Sequence, residues 1–218
     1  MLQRISFPNR EEWLKFRPGG IGASEAGTIM GDNKARTKID LWKIKTGAAQ
    51  EPDLSGNDYV RRGILWEPAI RAAFAAMHPE LKIVHHPYDV LFQSERPWLF
   101  ATLDAETYNA SGEPGTAEFK TAEPRTREEW AEWDGRVPAK YYDQILHQHN
   151  ATGWRRHHLM AFLFTTDENG DIIKIVPKDY VFAVDDGFKL DAQIVLETEI
   201  LFWEDVQKRR IPPMPLKL

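Results

Sequence analysis

Two carboxylates and a lysine are spaced for joint chemistry within the stretch Leu99–Ala122. Glu118 and Lys120 lie two residues apart on an apolar-rich run, so a strand would point both side chains to one face and Phe119 to the other. A second apolar run ends at Asp104. If the two runs pair, Asp104 comes close to Glu118, and the three charged groups converge on one small volume.

This grouping favours metal-assisted cleavage of a phosphodiester. Mg²⁺ prefers oxygen ligands in an octahedron and keeps several waters, and its candidate protein ligands are Asp104, Glu118 and the Phe119 carbonyl. The ion would acidify a bound water and neutralise charge building on the phosphate, while Lys120 could orient that water or stabilise its hydroxide form. On these residues alone, an ordinary strand pair with a solvated salt bridge is the alternative.

The elements that must position this group begin with a hairpin. Asn109–Gly115 is rich in turn-forming residues and lies between two apolar-rich runs, which predicts a hairpin within Leu99–Ala122. Lys82–Phe92 predicts one or two further strands. Arg156–Thr165 and Ile172–Val184 predict a second hairpin that extends the sheet.

A candidate phosphate site lies nearer the N-terminus. Asn9 caps a predicted helix that ends at Pro18–Gly20, and Ser24 or a neighbour opens a short helix that stops at Gly31. Free backbone N–H groups at that start, with the Ser24 hydroxyl and Arg17, could hold a phosphate. The alternative is that Ser24 only caps the helix and Arg17 is a surface charge.

A long helix is predicted over Asn57–Met77. Pro68 lacks a backbone donor, so we expect a kink or break there, with Glu67 beside it. On its own, Glu67 reads as an ordinary surface glutamate of a helix. Upstream, Thr37 caps another predicted helix that ends near Gly47.

Two helices are predicted after the hairpin. The first starts at Pro138 and places Gln144 and Gln148 four residues apart on one face, where they could bind phosphate oxygens, support Lys120 or simply face water. The second starts at Asp185 or Asp186 and runs to about Arg210, followed by an extended tail over 211–218. Its predicted buried positions are Leu190, Ile194, Leu201 and Trp203.

Composition limits the class of protein. With 218 residues, 42% of them hydrophobic, and eight tryptophans, the chain is expected to form one folded domain over 1–218. No stretch approaches the apolar length of a membrane span, and no signal-peptide region is evident. The absence of cysteine excludes disulfides and thiolate zinc sites and fits a cytoplasmic protein.

Charge and histidine spacing narrow the ligands. The net charge of −5 counts against DNA binding by the chain as a whole, although local basic groups can act: Lys34, Arg36, Lys38, Arg61, Arg62, Arg155 and Arg156. A zinc site is not expected from the histidine sets, which lack zinc-motif spacing: His85–His86, His147, His149 and His157–His158. A coupled ATPase is not expected either, because no GxxxxGK[ST] motif is present.

An ordered set of stretches resembles the phage lambda exonuclease or YqaJ-type viral recombinase family of the PD-(D/E)xK nuclease superfamily. The stretches are Trp13–Arg17 with Ile21–Glu25, Gly63–Pro68, Leu103–Ala105, Ala117–Thr121, and Tyr141–Gln148 with Thr152–Gly153. Each is weak alone, but the ordered set is specific. The matches lie within 13–153 and leave the C-terminal hairpin and helix over 154–210. One departure is Ala105, where the family often has glycine.

The resemblance implies an α/β fold, with a mixed central β-sheet flanked by helices and a restriction-endonuclease-like PD-(D/E)xK core. The catalytic group it implies is Asp104, Glu118, Lys120, Glu67 and Gln144. The implied metal ligands, for Mg²⁺ or Mn²⁺, are Asp104, Glu118, the Phe119 carbonyl and Glu67. In lambda-type exonucleases the positions matching Arg17 and Ser24 hold the 5′-phosphate, and Gln148 is implied as a further DNA contact.

The implied activity is metal-dependent 5′-to-3′ digestion of linear double-stranded DNA to mononucleotides, leaving a 3′ single-stranded tail for recombination by strand annealing. A ring-shaped homotrimer, a single-strand annealing partner and a cytoplasmic location in a bacterial or phage-infected cell are implied as well. Two other classes stay open. A PD-(D/E)xK endonuclease would cut closed circular DNA, and a catalytically idle DNA-binding module would release no nucleotides.

Overall fold

The structure is a computed structural model that describes residues 1–213, so most of the expected extended tail lies outside the described residues. The helices are α1 (Arg10–Phe16), α2 (Ala26–Met30), α3 (Lys38–Lys45), α4 (Asp58–Met77), α5 (Arg127–Ala131), α6 (Ala139–Thr152) and α7 (Asp186–Gln207), with 3₁₀ turns at Arg17–Gly19 and Ala23–Glu25. The strands are β1 (Leu2–Ser6), β2 (Ile21–Gly22), β3 (Lys82–Val84), β4 (Asp89–Gln93), β5 (Leu99–Ala101), β6 (Ala105–Tyr108), β7 (Pro114–Ala122), β8 (Arg156–Thr166) and β9 (Ile172–Ala183).

The central sheet has five strands in the order β3-β6-β7-β8-β9. β6 and β7 form the predicted hairpin, antiparallel with Ala105 opposite Ala117. β7 runs parallel to β8, and β8 and β9 form the second predicted hairpin. The sheet is therefore mixed, as the sequence predicted.

A second sheet, of four strands, was not expected. Leu99–Ala101 forms β5 of this sheet and pairs with β4 and β2, so the prediction that the hairpin extends back to Leu99 is wrong. The chain crosses from one sheet to the other over Thr102–Asp104, which belongs to no strand. Asp104 thus lies at the crossing, immediately before β6.

Helices cover both faces of the central sheet. Side chains alternate along β8, so neighbouring residues pack against helices on opposite faces. Met160 packs with Ile70 and Phe74 of α4 on one face. Leu159 packs with Ile145 of α6 and Val195 of α7 on the other face. The predicted α/β fold class is confirmed.

Two details of α4 and its neighbours differ from expectation. α4 continues unbroken from Asp58 to Met77 with Pro68 inside it, so the expected break is wrong. Burial of Ile70 and Phe74 against the sheet holds the part of the helix that follows the proline. Ser24 is not a helix cap, because the 3₁₀ turn begins one residue earlier, with Gly22 as its N-cap.

The buried face of α7 is also not the predicted one. Leu190, Ile194 and Leu201 are 59%, 46% and 60% exposed, and Trp203 is half-buried. The inward face instead carries apolar side chains together with two acids: Phe188, Ala192, Val195, Glu199, Phe202, Asp205 and Val206. Hydrophobic periodicity failed to predict this face because it treats acidic residues as exposed. Each buried acid of α7 is instead paired with a side chain outside the helix, either far away in the sequence or just after the helix ends.

One of these partners joins α7 to both α6 and the second sheet. His147 of α6 places Nδ1 2.6 Å from Glu199 Oε1 and Nε2 2.9 Å from the Phe100 carbonyl oxygen. Burial opposes a charge on His147, but Glu199 outweighs it and raises the pKa of the imidazole.

Among the described residues, no helix is both long and apolar enough to cross a membrane.

The close approach of the chain at Gly20 supplies a stability test. A Cβ added at Gly20 would lie 2.2 Å from the Trp98 carbonyl oxygen, whereas one added at Gly19 meets nothing within 4 Å. Gly20→Ala should lower the free energy of unfolding by roughly 1–3 kcal/mol through overpacking. Gly19→Ala should change it by less than about 0.5 kcal/mol. Urea denaturation of both variants measures the difference, and equal stabilities would contradict the packing described.

Candidate active site

The carboxylate of Glu118 is the centre of the site. Its side chain is only 3% exposed. Oε1 accepts from Lys120 Nζ at 2.5 Å and from Gln144 Nε2 at 2.6 Å, and Oε2 accepts from Gln148 Nε2 at 2.5 Å. β7 supplies the glutamate and the lysine, and α6 supplies both amides.

Asp104 is held against the same strand by a backbone contact. Its Oδ2 accepts from the Phe119 N–H at 2.7 Å, and its carbonyl oxygen lies 2.8 Å from His85 Nδ1. The structure therefore brings Asp104 beside Glu118, although the strand that precedes Asp104 belongs to the other sheet. Phe119 itself packs toward α4, against Phe74 with ring centroids 5.6 Å apart.

Glu67 faces this pair from α4 across a cavity of about 270 Å³. Its Oε1 accepts from Arg71 Nη2 at 2.6 Å, one helical turn along. The lining residues are Val60, Gly63, Ile64, Glu67, Ile70, Asp104, Glu118, Phe119, Lys120 and Thr121. Three carboxylates from three separate elements thus share one opening.

The charges in this cavity shift the protonation of its members. Burial, and then the charge of Glu118, raises the pKa of Asp104 well above its usual range, and Lys120 offsets only part of this. Burial alone would lower the pKa of Lys120, but Glu118 and Asp104 outweigh it and raise that pKa. Without a cation, Lys120 is therefore protonated at neutral pH and can donate to a water or an oxyanion.

The donor set fits a hard divalent cation. Carboxylate and carbonyl oxygens are the ligands that Mg²⁺ prefers, and a cation would offset the excess negative charge that raises the pKa of Asp104. Asp104, Glu118 and Glu67, with the Phe119 carbonyl, are the residues that would hold it. The ligand set implied by the resemblance therefore stays a prediction, which the chemistry of the three carboxylates permits.

The comparison with known proteins identifies the family. The YqaJ-like viral recombinase domain matches residues 12–155 of the chain. The chain belongs to this family. It is also 27% identical over 205 residues to the "Uncharacterized protein YqaJ" of Bacillus subtilis strain 168, covering 94% of this chain and 59% of that protein. The chain thus spans about three-fifths of the length of this relative.

Solved structures similar to this YqaJ-type chain confirm its fold. An alkaline exonuclease (LHK-Exo) from Laribacter hongkongensis matches with a TM-score of 0.60 at 17% identity, over 92% of this chain and 96% of that one. The same enzyme in complex with dAMP gives a TM-score of 0.59 at 19% identity, with the same coverage. A phage-related exonuclease from Haemophilus somnus 129PT gives 0.57 at 12% identity, over 87% and 96%.

The predicted phosphate pair lies together in this YqaJ-family chain. Arg17 Nη2 is 3.4 Å from Ser24 Oγ, and the Arg17 guanidinium lies over the Trp13 ring, 4.8 Å from its centroid. Ser24 is exposed. Glu25 beside it is buried; its Oε2 pairs with Lys45 Nζ at 2.8 Å, whereas its Oε1 lies 3.9 Å from Arg17 Nη2.

Gln148 does not lie where a DNA contact is expected. Its side chain is fully buried and donates to Glu118. The predicted direct contact with DNA is therefore not supported by the geometry. Gln144 and Gln148 instead hold the two oxygens of Glu118 in place, and Gln144 shares Oε1 with Lys120.

Three further residues border the site, and the sequence assigned them no role. The Tyr141 ring centroid lies 5.2 Å from Lys120 Nζ, close enough for a cation–π contact. Arg71 pairs with Glu67, and the i,i+4 spacing of this pair is a signal that the sequence did contain. His85 reaches the Asp104 carbonyl from the segment after β3, a contact that no local pattern reveals.

The raised pKa of Asp104 predicts a stability effect. In metal-free protein, the contribution of Asp104 to stability should fall as the pH rises from 3.8 through its raised folded pKa, because the folded state holds this proton more tightly than the unfolded state. Asp104→Asn should therefore stabilise the protein at neutral pH, by roughly 0.5–2 kcal/mol.

Thermal unfolding in EDTA across this pH range measures the effect. The exposed Asp186→Asn is the matched control, since Asp186 is fully exposed and pairs only with Lys189. The gain of Asp104→Asn should vanish at acidic pH, where the wild-type carboxyl is protonated in both states. A destabilised Asp104→Asn protein at neutral pH would contradict the electrostatic account.

Proposed function

We propose that this protein is a Mg²⁺- or Mn²⁺-dependent deoxyribonuclease that digests linear double-stranded DNA from 5′ ends. The products are mononucleotides and a 3′ single-stranded tail for recombination by strand annealing. The observation that carries the proposal is the convergence of Asp104, Glu118, Glu67 and Lys120 on one cavity. Membership of the YqaJ-like viral recombinase family and the exonuclease fold support it.

The residues of the chain divide the work as follows. Asp104, Glu118 and Glu67, with the Phe119 carbonyl, would hold the cation, which when bound acidifies water and neutralises phosphate charge. Lys120, paired with Glu118 beside the cation ligands, orients the attacking water or stabilises the oxygen on which charge develops. Gln144 and Gln148 fix the orientation of Glu118; they are positioning residues.

End recognition is proposed for Arg17 and Ser24. A terminal phosphate carries more negative charge than an internal one, and a guanidinium can meet it with two parallel hydrogen bonds. Ser24 is exposed and its hydroxyl already lies near the guanidinium. The contact of Arg17 with Ser24 is long, at 3.4 Å, and its pair with Glu25 longer still, at 3.9 Å, so the guanidinium is free to take a stronger anionic partner.

Assembly, location and partner remain proposals that rest on the family. We infer a ring-shaped homotrimer, a single-strand annealing partner and a cytoplasmic site of action, with no membrane role. The exposed apolar residues of α7, Leu190, Ile194 and Leu201, support self-association because they give it apolar area to bury. Light scattering at assay concentrations decides the oligomeric state.

The second candidate function is endonucleolytic cleavage by the same residues. A PD-(D/E)xK endonuclease would cut covalently closed DNA, whereas the proposed exonuclease needs an end. Nucleotide release from matched linear and closed circular duplexes with Mg²⁺ separates the two. A protein that binds DNA but releases nothing would be the idle module, which the intact set of acids and lysine argues against.

Loss of the central charges should abolish hydrolysis. Glu118→Ala, Asp104→Ala and Lys120→Ala should each reduce nucleotide release by on the order of a thousandfold or more, and a double variant should be little worse, because the groups act as a unit. Circular dichroism checks that each variant is folded. Glu168→Gln, in the exposed turn between β8 and β9, is the control and should keep full activity. Substantial activity in folded Glu118→Ala would remove the metal assignment.

The end-recognition proposal predicts a substrate preference. Wild-type protein should digest 5′-phosphorylated duplex about tenfold to a hundredfold faster than 5′-hydroxyl duplex, since a charged hydrogen bond contributes roughly 1.5–3 kcal/mol. Arg17→Ala should lose most of that preference, while Arg10→Ala, at the start of α1, should retain it. Equal wild-type rates on both ends, or an Arg17→Ala protein with the full preference, would place the phosphate site elsewhere.

A further inference from the structure

A second group of metal-type donors lies away from the catalytic carboxylates. His78, His158 and Asp179 each offer a ligand atom, and these atoms lie within 4.8 Å of one another. His78 immediately follows the last residue of α4, His158 lies near the start of β8, and Asp179 lies on β9. The group thus joins the end of one helix to two adjacent strands of the central sheet.

Two of the three side chains already contact each other. His78 Nε2 lies 2.8 Å from Asp179 Oδ2, and His78 Nδ1 lies 3.2 Å from Glu80 Oε1. A carboxylate on the far nitrogen is the arrangement that orients metal-binding histidines in proteins. Glu80 is such a carboxylate on His78 Nδ1, and it leaves His78 Nε2 directed at the centre of the group.

The buried ring of His158 gives a second reason to expect a ligand. Its side chain is buried, with the residue 5% exposed, and neither ring nitrogen has a hydrogen-bond partner among the described residues; the same is true of Asp179 Oδ1. Buried polar atoms without partners are rare and call for a ligand or another explanation. Phe74 packs against His158 with ring centroids 5.3 Å apart, which fixes the ring in place.

The chemistry of these donors selects the ion. Metal binding needs a neutral imidazole with a lone pair to give, and no described residue occupies either buried ring nitrogen of His158. Two imidazoles and one carboxylate suit Zn²⁺ and similar transition metals, whereas Mg²⁺ prefers oxygen alone. Ligand distances of about 2.0–2.2 Å place neighbouring donor atoms a little over 3 Å apart, so small side-chain rotations would close the group around an ion.

We propose that His78, His158 and Asp179 form a binding site for a divalent transition metal of the Zn²⁺ type, separate from the catalytic cation. His78 comes eleven positions after Glu67, or roughly 16 Å along the direction of the helix. His158 also faces α4, whereas Glu118 of the adjacent strand β7 faces α6. With three protein ligands, one position stays open for water.

The ion would fasten the end of α4 to β8 and β9 and so stabilise the helix that carries Glu67. The sequence argued against a zinc site because no zinc-motif spacing occurs among His85–His86, His147, His149 and His157–His158. Spacing could not reveal the present site, because His78 stands alone in the sequence and Asp179 comes 101 residues later.

Cobalt absorption tests the site in the full chain, without a histidine tag and with excess Mg²⁺ to occupy the carboxylates. Wild-type protein should bind one equivalent of Co²⁺ with visible d–d bands, Zn²⁺ should displace it, and Zn²⁺ should raise the Tm. His158→Phe and Asp179→Asn should each weaken binding by about 100-fold or more, beyond the effect of losing an outer contact. Glu118→Gln should bind as the wild type does.

Controls separate this site from other ligands. His85→Ala removes an exposed histidine near Asp104 and should leave Co²⁺ binding unchanged, and Glu80→Gln should weaken it by no more than about tenfold. If His158→Phe does not fold, the partly exposed Asp179→Asn decides. Absent d–d bands in the wild type, or wild-type affinity in Asp179→Asn, would overturn the proposal, as would binding that only Glu118→Gln removes.

Discussion

A buried carboxylate is unfavourable unless its oxygens accept hydrogen bonds. The residues around Glu118 are therefore required to supply donors. The strand itself meets part of the requirement through Lys120, which lies on the same face. The remaining donors come from Gln144 and Gln148, so α6 must lie across β7 with its amide-bearing face inward. This pairing, together with the apolar packing of α6 against the sheet and α7, sets the position of the helix.

The same charge makes the site electrostatically unfavourable without a cation. Asp104 and Glu67 face Glu118 across a small cavity, while Lys120 and Arg71 supply the nearby positive charge. Burial first, and then the charge of Glu118, raises the pKa of Asp104. Proteins commonly retain such destabilising groups where activity requires them, and the apolar packing of α4, α6 and α7 on the sheet supplies the stability that the cavity does not.

Local patterns predicted what local physics decides. Strand alternation placed Glu118 and Lys120 on one face, and the i,i+4 spacing placed both amides of α6 together. Contacts between distant segments were beyond such reasoning. The burial of Glu199 could not be predicted from hydrophobicity, because its partner His147 lies on another helix. The switch of Leu99–Ala101 into a second sheet likewise depends on pairing with β2 and β4, which no short-range signal records.

The buried pair of His147 and Glu199 has a geometric consequence. Through the Phe100 carbonyl, His147 fixes α6 to the strand that pairs with Gly22, just before the turn bearing Ser24. Gln144 and Gln148, on the same turn of that helix, hold Glu118. One turn of α6 therefore joins the strand beside the Ser24 turn to the carboxylate at the centre of the site. A shift of this helix would displace both regions together, so neither can move independently of α6.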